Sequence, residues 1–278
     1  MELLKGKEIK LKILNELKEE LSKVKESIKL VVIQVGNDEA SNVYAKQKEK
    51  MANDLGYDFV HLKLNKSITE ESLIKMIKSM NIDKEVTGIM VQMPLPKHLN
   101  PKKIQNAILP SKDVDGLTDY NAGLLMHSNK NAIVPCTANA VIDIIDYYGI
   151  EVEGKNVVIV GRSDLVGKPL AMLMINRNAT VTLCHSKTIN LREYTSRADI
   201  LVVAVGKAGL IKGDDIKEGA IVIDVGINSV NDKLVGDVDY ESVKDKVSYI
   251  TPVPGGVGQL TVANLAKNTY KSYKLKKY

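Results

Sequence analysis

Short Val/Ile-rich runs recur along this chain at intervals that leave room for one helix between each pair. That alternation constrains the fold more than any single motif. In the first part, IKLVVIQVG (28–36), YDFVHLKL (57–64) and VTGIMVQMP (86–94) have the length and β-branched content of strands. Helical patterns fit around 2–26, 40–55 and 68–80. A second series follows: NVVIVG (156–161), ATVTLC (179–184), DILVVAVG (199–206) and AIVIDVG (220–226), with SYITPV (248–253) a short fifth. Alternation of this kind specifies parallel strands joined by crossover helices, and near-continuous apolar runs suit strands covered on both faces. The fold class is α/β. TANAVIDIIDYYG (137–149) reads as a helix with Thr137 at its N-cap and Gly149 just past its end.

Length and composition bound the rest. At roughly 100–200 residues per domain, a chain of 278 residues has room for two cores. The expected division is 1–120 and 137–261, with the change near 118–150 bridged by one long helix. A final helix, about 262–278, is expected to pack back onto the first domain. One Phe and no Trp leave few stacking surfaces for nucleic acid. The formal charge of +5 is spread along the chain, which suits small anionic ligands or a solvated surface. The basic ending KSYKLKKY reads as an exposed tail or a helix end. Cys136 and Cys184 make no disulfide framework, and four dispersed histidines make no metal cluster, so no metal site is expected. The start of the chain lacks a secretory apolar core, and no run approaches the roughly 20 apolar residues of a membrane span. The expected setting is cytoplasmic and reducing, with no membrane partner.

The first strand of the second series empties into GRSDLVGKPL (161–170). Strand, glycine turn and helix start form an anion-binding arrangement in which backbone N–H groups face a pyrophosphate. Gly161 and Gly167 are present, while Ser163 stands where G-x-G-x-x-G has its middle glycine; a plain strand–helix turn is the alternative. In NAD sites a carboxylate near the end of the second strand binds the ribose hydroxyls. Here that strand ends in Cys184-His185-Ser186-Lys187, with no carboxylate to repel a 2′-phosphate. Ser186 can donate to such a group and Arg162 adds a fork of donors, so the pattern favours NADP.

In SNVYAKQKEKMANDL (41–55), a helix puts Tyr44, Met51 and Leu55 on one face together with Lys48. A lysine in an apolar stripe either snorkels to water or is kept there for its chemistry.

Seven segments, in order, resemble the bifunctional methylenetetrahydrofolate dehydrogenase/cyclohydrolase family: SNVYAKQK (41–48), GIMVQMPLP (88–96), KDVDGLTDYNAG (112–123), VPCT (134–137), GRSDLVGKP (161–169), HSKT (185–188) and TPVPGGVGQLT (251–261). The resemblance runs from end to end. It implies two three-layer α/β domains, the second a Rossmann-like sheet, with folate in a cleft between them. It also implies a homodimer that uses tetrahydrofolate derivatives.

Tyr44 and Lys48 match the family's Tyr-x-x-x-Lys, whose lysine faces the reacting carbon, and Gln92 matches the glutamine that bonds it. Asp115 matches the carboxylate that takes the pterin's N–H donors, while Asp113 is read as shaping the turn. Pro254, Gly255 and Gly256 belong to the loop used against folate, and Ile227 to the nicotinamide end of the cofactor site. The implied cofactor residues are thus Gly161, Arg162, Ser163, Gly167, Ser186 and Ile227. Two departures stand out: Gln259-Leu260 replaces the common Pro-Met, and Ala138 follows PCT where proline is usual.

The implied activity is oxidation of 5,10-methylenetetrahydrofolate with NADP, then hydrolysis to 10-formyltetrahydrofolate. A monofunctional NADP-dependent dehydrogenase, a non-catalytic NADP-binding regulatory protein, and a reductase of another small carbonyl compound are the alternatives.

Overall fold

A computed structural model describes residues 1–276, leaving out the side chains of Glu39 and Ala40. Lys277 and Tyr278, the end of the basic segment, lie outside the described residues. The strands are β1 (Glu2–Leu3), β2 (Lys29–Val35), β3 (Asp58–Leu64), β4 (Val86–Val91), β5 (Asn156–Val160), β6 (Thr180–Cys184), β7 (Ile200–Val203), β8 (Ile221–Asp224), β9 (Asn228–Val230), β10 (Lys233–Val235) and β11 (Tyr249–Ile250). The chain divides into two compact units, one of residues 12–136 and 262–278, the other of 1–11 and 137–261.

The first of these units is built on a parallel sheet in the order β3-β2-β4. Every residue of β2 after Lys29 is buried, Gln34 included, as a central strand requires. Val31, Ile33 and Val35 pack with Leu73 and Ile77 of the helix Glu70–Ile82 and with Ile89 and Val91 of β4. That helix starts where Thr69 accepts the Ser72 N–H at 3.2 Å. The helix Glu39–Leu55 begins at Asp38, whose carboxylate accepts the Ser41 N–H at 2.8 Å, and stops at Gly56 with φ +74°. Within the helix Thr261–Leu275, residues from Val262 onward belong to the same unit. They are tied in by Tyr57 Oη, which donates to the Ala266 carbonyl at 3.1 Å, and by Ser272 Oγ, which donates to the Thr87 carbonyl at 2.6 Å.

The other unit holds a six-stranded parallel sheet ordered β1-β11-β8-β7-β5-β6, with a small antiparallel hairpin, β9–β10, beside it. Its core joins Val158 and Val160 of β5, Leu201 and Val203 of β7, Val222 of β8 and Ile250 of β11.

Three expectations change. The helix foreseen from residue 2 starts at Gly6, because Glu2 and Leu3 pair with Tyr249 and Ile250 as an edge strand. This pairing groups residues 1–11 with the second sheet rather than with the first domain. The long bridging helix is two helices, Asp119–Met126 and Cys136–Tyr147, separated where Ser128 adopts φ +54° and Pro135 follows. The strand expected over 248–253 shrinks to Tyr249–Ile250, since Pro252 and Pro254 have no N–H to give a ladder.

Candidate active site

In the helix Glu39–Leu55, Ala45, Met51, Ala52 and Leu55 are buried against the sheet, and so is Lys48, at 6% exposure. Tyr44, one turn earlier, is 41% exposed, so the aromatic ring on this face lies open. Burial alone would make the Lys48 ammonium costly. Its Nζ donates to Gln92 Oε1. The Gln92 amide is itself oriented, because its Nε2 donates to the Met93 carbonyl at 2.8 Å, which leaves the oxygen for the lysine. Gln92 sits just past the end of β4, with its N–H on the Ile33 carbonyl at 2.8 Å. Desolvation holds the Lys48 pKa below the ordinary lysine value, and the nearby Asp115 carboxylate partly restores it.

Asp115 reaches this neighbourhood through a segment that runs beside β4, where Asp113 bridges Ile89 in parallel register. The turn after it needs Gly116: its φ is +71°, and a Cβ there would collide with the Ile133 carbonyl. Asp113 is structural, its carboxylate accepting the Thr118 N–H at 2.8 Å and Asn121 Nδ2 at 3.0 Å. Burial pushes the Asp115 carboxyl up to about 6, against the opposing pull of Lys48.

Cys136 was not singled out from the sequence. Its thiol is buried beside Asp115, and both burial and that carboxylate push its pKa up. Asn268 Nδ2 lies 3.5 Å from the sulfur and also donates to the carbonyls of Val114 at 3.0 Å and Val134 at 2.8 Å. Asn268 thus ties the segment carrying Asp115 to the one carrying Cys136. The signal for Cys136 was its place in VPCT; Asn268, 132 positions away from it, gave none. Lys48, Gln92, Asp115 and Cys136 form one polar cluster.

The remaining predicted residues belong to the unit with the six-stranded sheet. Gly161 follows β5 with φ +129°, and a Cβ there would overlap the Ala204 carbonyl beyond β7. Ser163 Oγ accepts the Val166 N–H at 3.1 Å, so the hydroxyl that replaces a glycine also braces the turn. Gly167 starts the helix Gly167–Ile175 and is buried, while Arg162 and Ser163 are exposed. Ser186 is exposed beyond β6, in a turn where the Thr188 hydroxyl accepts the His185 N–H at 2.8 Å. Ile227 is 47% exposed just after β8. In the loop 252–256, Pro254 is exposed and Gly256 buried, and the Gly255 carbonyl accepts the Gly6 N–H at 2.8 Å. Among the described residues, no group of three His, Cys, Asp or Glu is placed to hold a metal ion.

Comparison with known proteins places these features in context. Residues 4–115 match the family model for the tetrahydrofolate dehydrogenase/cyclohydrolase catalytic domain, and residues 135–277 match its NAD(P)-binding domain. "Bifunctional protein FolD" of Acetivibrio thermocellus is 52% identical over 276 residues, covering 98% of this chain and 96% of the relative. The crystal structure of the bifunctional FolD methylenetetrahydrofolate dehydrogenase/cyclohydrolase from Campylobacter jejuni superposes with a TM-score of 0.96 at 45% identity, covering 99% of both chains. The Trypanosoma brucei enzyme, solved with NADP cofactor and an inhibitor, gives a TM-score of 0.93 at 37% identity, covering 98% of this chain and 97% of that one.

Proposed function

This chain belongs to the tetrahydrofolate dehydrogenase/cyclohydrolase family, and from that premise we propose how its own residues serve the two reactions. It oxidises 5,10-methylenetetrahydrofolate to the 5,10-methenyl cation with NADP, then hydrolyses the cation to 10-formyltetrahydrofolate. The observation that carries the reading is a buried amine held by an oriented glutamine beside a buried carboxylate.

In the oxidation a hydride leaves the methylene carbon and no proton moves, because the flanking nitrogen lone pairs stabilise the product cation. The protein's work is positioning. The exposed Tyr44 ring lies against the aminobenzoyl group, and Asp115 accepts two hydrogen bonds from the amino and ring N–H groups of the pterin. Pro254, Gly255 and Gly256 offer a close backbone surface to the folate. NADP, when bound, supplies the hydride acceptor. The residues fit it: the Gly161 turn leads into the start of a helix, Arg162 and Ser186 are exposed, and β6 ends without a carboxylate. Gly167 opens the helix behind the turn, Ser163 braces it, and Ile227 offers an apolar face to the nicotinamide end.

In the hydrolysis, water adds to the methenyl carbon, the bond from that carbon to N5 breaks, and N5 gains a proton. The Lys48 amine takes one proton from the attacking water and delivers it to N5 as the carbon–N5 bond breaks, while the second water proton leaves to solvent as the formyl C=O forms. Desolvation and the cationic substrate both favour the free amine, and Gln92 aims it.

The cytoplasm is the setting in which the two free buried thiols, Cys136 and Cys184, stay reduced. Among the described residues, no helix is long and apolar enough to cross a membrane. A second copy of the chain is the expected partner, and the outer edge of β3, which among the described residues pairs with β2 alone, is where one fits.

A coupled absorbance assay tests the whole reading. Methylenetetrahydrofolate with NADP should yield NADPH and a transient methenyl absorbance that then decays. NADPH without enzyme-dependent methenyl decay would leave a monofunctional dehydrogenase, and no NADPH at all would refute the assignment.

A further inference from the structure

The chemistry above does not use the buried carboxylates Asp224 and Asp237. Asp237 is fully buried and gathers four N–H donors from two separate segments. Its Oδ2 accepts the N–H groups of Val205 at 2.7 Å and Gly206 at 3.0 Å. Its Oδ1 accepts the Lys207 N–H at 2.7 Å and Asn228 Nδ2 at 2.9 Å.

The first segment, 204–207, leaves β7 directly against the glycine turn. Ala204 donates its N–H to the Val160 carbonyl at 2.8 Å, and its own carbonyl fills the space a Gly161 side chain would need. The second segment, 226–228, leaves β8 and contains the exposed Ile227. Gly226 lies so close to Asp237 that a Cβ there would overlap the carboxylate carbon.

Asp237 is in turn anchored by the buried Asp224. The Asp237 N–H reaches Asp224 Oδ1 at 3.0 Å, the Val238 N–H reaches Oδ2 at 2.8 Å, and the Gly226 N–H reaches Oδ1 at 2.9 Å. Strands β7 and β8 are parallel neighbours, and ligands of open α/β sheets bind outside the carboxyl ends of such strands.

We propose that Asp237 is a positioning residue for NADP: one carboxylate sets the spacing between the loop that backs the Gly161 turn and the segment that presents Ile227. The proposal rests on the assignment of the NADP reaction given above. A carboxylate is required because each oxygen takes two donors. An amide of the same shape would keep one oxygen and turn its NH₂ against the other two N–H groups.

The test uses Asp237→Asn and the milder Asn228→Ala, which removes one donor and carries the experiment if the first variant fails to fold. Both reactions are measured on the same preparations, with NADP varied in the oxidation and no dinucleotide present in the hydrolysis. Asp237→Asn should raise the KM for NADP at least about tenfold, the scale of losing a hydrogen bond to a charged group. Asn228→Ala should raise it about threefold, and the oxidation kcat should fall less than KM rises in both. Hydrolysis of methenyltetrahydrofolate should stay within about twofold of wild type. An unchanged KM for NADP in both variants overturns the proposal, and so does a parallel loss of both reactions, which would mark a purely structural role. Wild-type turnover separates the two levels: if wild type makes no NADPH the functional assignment falls, whereas normal wild-type turnover with unaffected variants removes Asp237 alone.

Discussion

Lys48 and Asp115 shape each other's protonation, and the sign of that coupling can be measured. Burial depresses the lysine, while the Asp115 anion favours its ammonium form. As pH rises through the depressed value the free amine accumulates, so hydrolysis should rise with pH and level off below the ordinary lysine range. Replacing Asp115 by Asn removes the anion and lowers the Lys48 pKa further. In Asp115→Asn the acid limb of kcat for hydrolysis, taken at saturating methenyltetrahydrofolate, should move to lower pH; a limb that stays in place would uncouple the two groups. Lys48→Met should cut hydrolysis at least about 100-fold, the lower range of general acid–base catalysis. Oxidation, which moves no proton, should fall far less. Methenyl decay and NADPH formation followed on one preparation check both.

Among the elements, the glycine turn after β5 is where backbone shape and ligand binding meet. Gly161→Ala forces a side chain into a left-handed conformation against the Ala204 carbonyl. The strain should cost on the order of 1–3 kcal/mol, visible as a lower Tm, and the KM for NADP should rise while hydrolysis persists. Equal loss of both reactions would instead indicate that the turn serves folding alone. This turn and its strand were legible in the sequence, because the residues after Asn156 form an unbroken apolar run and GRSDLVG can only be a turn. β2 and β4 were legible from mostly apolar runs, interrupted by Gln34 and Thr87. Segments stabilised by distant partners were not legible. Glu2–Leu3 is a strand only because Tyr249 and Ile250 lie beside it, and two residues carry no periodicity. The hairpin β9–β10 likewise has too few residues to show alternation. At the site, Lys48 stood out as a cation in an apolar stripe, yet its tie to Gln92 was read from resemblance, and Asn268 reaches Cys136 through folding alone.

For the molecule as a whole, the buried carboxylates set a pH dependence of stability. Asp115 has a folded pKa of about 6, above its ordinary value near 3.8. The folded state therefore holds the proton more tightly, and this stabilising contribution is complete below the unfolded pKa and lost as pH rises through about 6. Asp115→Asn removes the loss. Its unfolding free energy relative to wild type should improve by on the order of 2–3 kcal/mol between acid and neutral pH, at 1.36 kcal/mol per pH unit. Chemical denaturation of both proteins across that range is the check, and a flat difference would refute it. Sedimentation should give about twice the 30.6 kDa chain mass, and a charged residue at Val60, 38% exposed on β3, should shift it toward the single-chain mass.

The division of the chain into interleaved segments also fixes an order of events during synthesis. Residues 12–136 carry Lys48, Gln92 and Asp115 and leave the ribosome early, but the helix that brings Asn268 to Cys136 and Tyr57 to Ala266 is made more than a hundred residues later. Meanwhile the six-stranded sheet, whose last strand is β11, can close first. A nascent or prematurely terminated chain would thus be able to grip a nucleotide before it could open a folate ring, so that water chemistry on the substrate waits for the finished polypeptide.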